Sequence, residues 1–163
     1  MAQRGPRGLH GLLYRYERGW TDHLGLVTME ARMKDVYSRG HQWRIDAGPV
    51  ASPTADPFHG QRYTGGTLVL YALWNLVGQD VFRRIEHAFL DRHRTSSAST
   101  QDYIAVAAEI SGQDLSGFLN KWLYGTKTPR MPGRPDWTVT PPKPAAARRD
   151  QVNTPKEKVS ATL

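Results

Sequence analysis

Apolar residues recur at the spacing of an α-helix along much of the chain, and this periodicity is its clearest structural signal. The first periodic segment covers residues 19–38 and predicts an amphipathic helix that ends before Gly40. Its inward-facing positions are Trp20, Leu24, Val27 and Ala31. Residues 41–60 then contain three prolines and two glycines without a sustained period, so we predict a long irregular loop.

Four more helices are predicted after this loop. Residues 66–77 are apolar around most of the helix circumference, which predicts a central, buried helix that ends at Gly78. The next three helices end or begin at clear signals, namely the caps Asp80, Ser99 or Thr100, and Asp114, and the C-terminal Gly112. Their inward-facing residues are Phe82, Ile85 and Phe89, then Ile104, Ala107, Ala108 and Ile110, then Leu115, Phe118, Leu119, Trp122 and Leu123. The predicted fold class is all-α, a small helical domain of about five helices.

The chain after Pro132 differs in composition from the helical part. It is rich in Pro, Ala, Thr and Lys and has almost no aliphatic periodicity, so it cannot bury enough apolar surface to offset chain entropy. We predict disorder over residues 138–163, with Trp137 as the last residue that packs. The expected parts are a poorly ordered N-terminus over 1–15, a helical subdomain over 16–132 and a disordered, basic Pro/Ala-rich tail over 133–163.

The net charge of +7 lies at the two ends of the chain. Residues 19–129 hold eleven positive and eleven negative side chains, which argues against a nucleic-acid partner, since such modules carry a basic face on the folded part. No apolar run reaches the length of a signal peptide or the roughly 18 residues of a membrane span. The sequence therefore predicts a cytoplasmic protein without a membrane partner.

Five short motifs follow one another between residues 63 and 129: Y-x-x-G, V-G-x-x-x-F, S-T-x-D-Y-I, S-G-x-D-L and W-L-Y-G-T-x-T-P. In this order and at this spacing they resemble the C-terminal part of the catalytic domain of zinc aminopeptidases of the aminopeptidase N family. The resemblance covers roughly residues 16–132 and is strongest over 63–129. It implies a helical, metallopeptidase-like subdomain of a hydrolase.

The zinc ligands that this family implies are missing from the sequence. Family members bind zinc with H-E-x-x-H and a third ligand Glu in an N-E-G-[FW]-A-x-[YH] segment. No H-E-x-x-H occurs in the 163 residues, and in the best match to the second segment, residues 17–23, Arg18 occupies the ligand position. A guanidinium cannot bind zinc. Glu17 is adjacent, but a shift of one residue turns a helical side chain by about 100°. We therefore expect no metal ligand and no cofactor in this chain, although the parent family holds zinc.

Tyr63 is the one functional residue that the resemblance carries over. The tyrosine of the family's Y-x-x-G motif hydrogen-bonds the oxyanion of the tetrahedral intermediate, which implies a vestigial oxyanion-stabilising role for Tyr63. The alternative is a tyrosine at the start of the buried helix with no catalytic role. His41-Gln42-Trp43 matches the H-Q-W that follows a zinc-binding His, but Tyr37 and Ser38 stand at the positions of the first His and the Glu, which indicates coincidence.

The sequence thus indicates a truncated or degenerate zinc metallopeptidase fragment, inactive alone. The alternatives are a helical protein-interaction module, half of a split peptidase, and a nucleic-acid binder that uses the basic tail. A subdomain that normally packs against a metal-bearing half exposes apolar surface when alone. The expected partners are therefore a second copy of the chain or a missing metal-bearing polypeptide.

Overall fold

The structure, a computed structural model, describes residues 9–20, 25–26, 28–51 and 60–141, without the side chains of residues 60–62. These residues form seven α-helices and no strand. The helices are α1 Leu9–Glu17, α2 Met29–Ser38, α3 Gly40–Ala47, α4 Gly60–Val77, α5 Gln79–Arg92, α6 Thr100–Ser111 and α7 Ser116–Tyr124. The all-α prediction is confirmed, with more helices than expected.

The N-terminal helices differ from the prediction. The helix predicted over residues 19–38 begins only at Met29, because Thr28 caps it: its backbone is extended and its Oγ1 accepts a hydrogen bond from the Ala31 N–H at 3.1 Å. Trp20 lies outside any helix and is 57% exposed, so its predicted inward position is wrong. Residues 21–24 and 27 lie outside the described residues. A helix that the sequence did not predict, α1, comes before this region and places Leu9 in the core.

The predicted loop over residues 41–60 contains helix α3, so this prediction is wrong for residues 41–47. Only Arg39 separates α3 from α2, and the first proline of the segment comes after α3 has ended at Gly48. Gly48 ends the helix with a φ of 76°, which favours glycine. Residues 52–59 of the predicted loop lie outside the described residues.

Helix α4 is the centre of the fold, as predicted. It begins at Gly60 rather than Gly66, ends before Gly78, and contacts α1, α2, α3, α5 and α7. The side chains that it buries are Leu68, Val69, Tyr71, Ala72 and Leu73. Because five helices surround α4, most of its apolar circumference is covered within the chain.

The predicted ends of α6 agree with the structure, whereas the predicted N-caps of α5 and α7 do not. Ser99 and Asp102 form a reciprocal capping box at α6, and Gly112 ends that helix in the left-handed region with a φ of 68°. The N-cap of α7 is Leu115 and not Asp114, although the Asp114 carboxylate accepts a hydrogen bond from the Ser116 N–H at 3.0 Å and so satisfies one N–H group of the first turn. The predicted cap Asp80 is wrong: Gly78 is the N-cap of α5, and Asp80 lies inside the first turn.

The chain after α7 returns to the helical core. Trp137 is buried and stacks on Tyr71 at a centroid distance of 6.0 Å, and the Thr140 N–H donates to the Ser38 carbonyl at 2.8 Å. Residues 133–141, which we assigned to the tail, therefore pack against the helices. The rest of the predicted disordered tail, residues 142–163, lies outside the described residues. None of the described helices is long and apolar enough to cross a lipid bilayer.

Candidate functional site

Tyr63 lies at the start of α4, with 45% of its surface exposed. Its phenol makes no hydrogen bond to the described residues. Its carbonyl accepts the Thr67 hydroxyl at 2.7 Å, which satisfies that buried polar group within one helical turn. Thr67 therefore fits the close-packed side of α4.

Arg18 follows α1 directly and is exposed. Its guanidinium lies over the Tyr14 ring at 4.9 Å from the centroid, and the Trp20 ring meets Tyr14 edge-on at 6.2 Å. Glu17, the last residue of α1, is also exposed. At Arg18, the residue that the sequence analysis aligns with the family's third zinc ligand, the structure thus has a cation packed on an aromatic ring.

The described residues contain no group of three or more His, Cys, Asp or Glu side chains that could hold a metal ion. A catalytic zinc site needs three protein ligands and one open position. His41 has another role: its Nδ1 accepts a hydrogen bond from the Thr128 N–H at 3.3 Å. The residues present in this part of the chain do not fit a zinc ion.

A buried guanidinium holds the end of α7 and was not predicted from the sequence. Arg44 in α3 is 6% exposed and donates to the carbonyls of Trp122 at 2.8 Å and Gly125 at 3.1 Å, and to the Thr128 hydroxyl at 3.3 Å. Burial lowers the pKa of Arg44 from its ordinary value, since no carboxylate compensates its charge. Instead, the negative end of a helix and its orphan carbonyls surround the cation.

This cluster gives a structural reason for the last of the five motifs and for the glycine at position 40. The segment W-L-Y-G-T-x-T-P supplies the carbonyls and the threonine that Arg44 and His41 contact. Gly40, one turn before Arg44, leaves room for Thr128, because a Cβ there would lie 2.5 Å from Thr128 Oγ1. No sequence signal marks Arg44, since its carbonyl partner on Trp122 lies 78 residues later in the chain.

A second polar cluster joins α1, α5 and α6. The Glu86 carboxylate accepts the Tyr103 hydroxyl at 2.6 Å and lies 3.1 Å from the His10 Nε2. Burial, and then the nearby Glu86 charge, raise the pKa of Tyr103 above its ordinary value, so this phenol stays protonated. The cluster fixes three helices and contains only one histidine, which does not suffice for a metal.

The comparison with known proteins now decides the family. The Peptidase family M1 domain matches residues 10–122. This span includes all seven helices, apart from the first residue of α1 and the last two residues of α7. The chain belongs to peptidase family M1. The match places Arg18, Arg44 and Tyr63 inside the M1 domain.

Individual relatives agree with this assignment. The M1 chain is 34% identical over 109 residues to aminopeptidase N of Caulobacter vibrioides and 26% identical over 107 residues to aminopeptidase N of Escherichia coli K12. Each alignment covers 61% of this chain and 12% of the relative. The chain thus spans about an eighth of the length of these curated relatives, which are aminopeptidases and hence hydrolases.

Solved structures show the same fold. The crystal structure of the M1 zinc metallopeptidase from Deinococcus radiodurans superposes with a TM-score of 0.57 at 22% identity, over 76% of this chain and 27% of that one. A mutant of the same enzyme bound to a Tyr-Ser-Ala substrate gives the same values. The resemblance to a zinc aminopeptidase is therefore confirmed at the level of family and fold.

Proposed function

We propose that this chain is the helical part of an M1 catalytic unit, in a truncated or degenerate form that has no zinc site and no peptidase activity by itself. One observation carries the proposal. The M1 domain matches residues 10–122, yet the sequence contains no H-E-x-x-H, and Arg18 stands where the third ligand is expected. The chain would then be a pseudoenzyme when alone.

The chemistry of Arg18 and Tyr63 supports the proposed lack of peptidase activity. The zinc site that the family resemblance implies uses two imidazoles and a carboxylate, and a guanidinium near that point repels a dication. The Tyr63 phenol can stabilise an oxyanion only where a metal-bound water has attacked a peptide carbonyl. Without such an attack, the exposed hydroxyl of Tyr63 has no reaction to assist.

The test is a zinc and activity assay on the purified chain. After incubation with zinc and gel filtration, we expect far less than one zinc per chain by plasma mass spectrometry. We expect no cleavage of an aminoacyl p-nitroanilide, with aminopeptidase N of Escherichia coli as the positive control. Arg18→Glu serves as a matched variant: it restores the family carboxylate but not the two histidines, so it should remain inactive. Stoichiometric zinc in the unchanged chain would refute the proposal.

A second candidate function is a helical interaction module, with a metal-bearing polypeptide or a second copy of the chain as its partner. Large apolar side chains at both ends of the central helix support it, since Tyr63 is 45% and Leu76 is 40% exposed. Leu70, in the middle of α4, is half-buried, so the more exposed Leu76 is the better position to probe. Light scattering at micromolar concentration should show a dimer that Leu76→Glu dissociates and Leu90→Glu leaves intact. A monomer in all three cases would exclude self-association.

A further inference from the structure

A cavity of about 290 Å³ lies where α1, the end of α4 and the start of α5 meet. Trp74 and Phe82 form an aromatic wall, with rings nearly parallel at 23° and centroids 6.2 Å apart. Tyr14 adds a third ring from α1. Aromatic walls with a few polar groups are typical of small-molecule sites.

Three ionisable side chains line this cavity without an ion-pair partner among the described residues. Glu17 from α1, and Arg83 and His87 from α5, line the cavity, and none of the three forms an ion pair or hydrogen bond to a described residue. Glu17 and Arg83 carry opposite charges but are not paired with each other. The cavity therefore offers one free carboxylate and one free guanidinium beside an aromatic wall.

We propose that this cavity binds a small zwitterion with an aromatic side chain, such as a free aromatic amino acid. The ligand's ring packs on Trp74 and Phe82, its carboxylate pairs with the planar fork of Arg83, and its ammonium group pairs with Glu17. The volume, at the lower end of the range for ligand pockets, fits one amino acid better than a long peptide. This site uses neither Arg18 nor Tyr63 and requires no metal.

The histidine that lines the cavity from α1, His10, already has a hydrogen-bond partner in the protein, which narrows the choice of groups that can bind the ligand. His10 lies 3.1 Å from the Glu86 carboxylate, so it is held on α5 and is not free for the ligand. His87 lines the same cavity and makes no hydrogen bond to a described residue. A ligand with a carboxylate thus has its permanent partner in Arg83.

Calorimetric titration of the full chain with L-phenylalanine tests the proposal. We expect saturable binding with one site per chain at millimolar concentration. Phenylpropionate lacks the ammonium group and phenethylamine lacks the carboxylate, so each should bind about tenfold more weakly. Arg83→Gln and Glu17→Gln should also each weaken L-phenylalanine by about tenfold. Arg84→Gln removes the same charge from the neighbouring position outside the cavity and should leave the affinity unchanged.

Three results would overturn the proposal: no heat of binding for L-phenylalanine, equal affinity for phenylpropionate, or an equal effect of the two arginine variants. Circular dichroism of each variant shows whether it is folded, and the two ligand analogues test the idea on the unchanged protein in any case. Because the titration involves neither zinc nor peptide cleavage, its outcome is independent of the proposed absence of peptidase activity.

Discussion

Replacement of Arg44 by methionine should destabilise the protein more than any other single charge removal among the described side chains. Arg44 is 6% exposed, and its guanidinium supplies the donors for the carbonyls of Trp122 and Gly125 at the end of α7. Methionine keeps much of the aliphatic stem but leaves the buried Trp122 carbonyl and the partly buried Gly125 carbonyl without this donor. Each unsatisfied buried acceptor costs about 1–3 kcal/mol.

Removal of the buried charge partly offsets this loss of stability. The variant no longer buries a cation, and the lowered pKa of Arg44 indicates that desolvation of this charge is costly. We therefore expect a net decrease of about 2–4 kcal/mol in the free energy of unfolding, which is large for a domain of this size. Arg44→Lys should recover only part of the lost stability, since one ammonium group cannot reach all the acceptors that the planar guanidinium contacts.

Urea unfolding followed by far-ultraviolet circular dichroism measures this change, with a constant m-value as the check on two-state behaviour. Arg84→Met is the matched control, because Arg84 is exposed on α5; it should change the stability by less than about 0.5 kcal/mol. Trypsin adds a local measurement: Arg44→Met should speed cleavage at Lys127, within the segment that the guanidinium holds. If Arg44→Met lost less than about 1 kcal/mol with no faster cleavage, the assigned role of this buried cation would be wrong.

Two further predictions concern the core and the helix caps. Trp122→Ala removes a side chain that is 1% exposed and should lower the free energy of unfolding by roughly 3–5 kcal/mol. Trp20→Ala, at a position 57% exposed, should lower it by less than about 1 kcal/mol. Equal losses of stability in urea unfolding would mean that the core is misassigned. Ser99→Ala removes the capping box of α6 and should cost about 1 kcal/mol at neutral pH, with Ser97→Ala as a silent control. Backbone and side-chain hydrogen bonds from Ser99 hold the pKa of Asp102 below its ordinary value of 3.8, so their contribution is complete above that pH and is lost as the pH falls through the lower folded-state pKa. The difference between Ser99→Ala and the unchanged chain should therefore shrink in strong acid, and a difference that grows there would contradict this assignment.

The sequence by itself determined the helices whose signals are local. The apolar run over residues 66–77 identified the central helix, and the cap at Ser99 and the stop at Gly112 gave the ends of α6. Such signals suffice because a cap hydrogen bond spans three or four residues and an apolar face repeats every turn. The order of the five motifs also led to the correct family, since their spacing follows from the lengths of these helices.

The tertiary structure decided what depends on contacts between distant residues. Helix α3 has a weak apolar period, and its position depends on Gly40 meeting Thr128 and on Arg44 reaching the end of α7, more than 75 residues away in the chain. How much of α4 is covered was also decided by tertiary contacts: five neighbouring helices cover most of it and leave Leu70 half-buried, because burial depends on the surroundings and not on the helix alone. The cavity between α1, α4 and α5 also appears only in three dimensions, since its acid comes from α1, its base from α5, and its aromatic wall from α4 and α5 together.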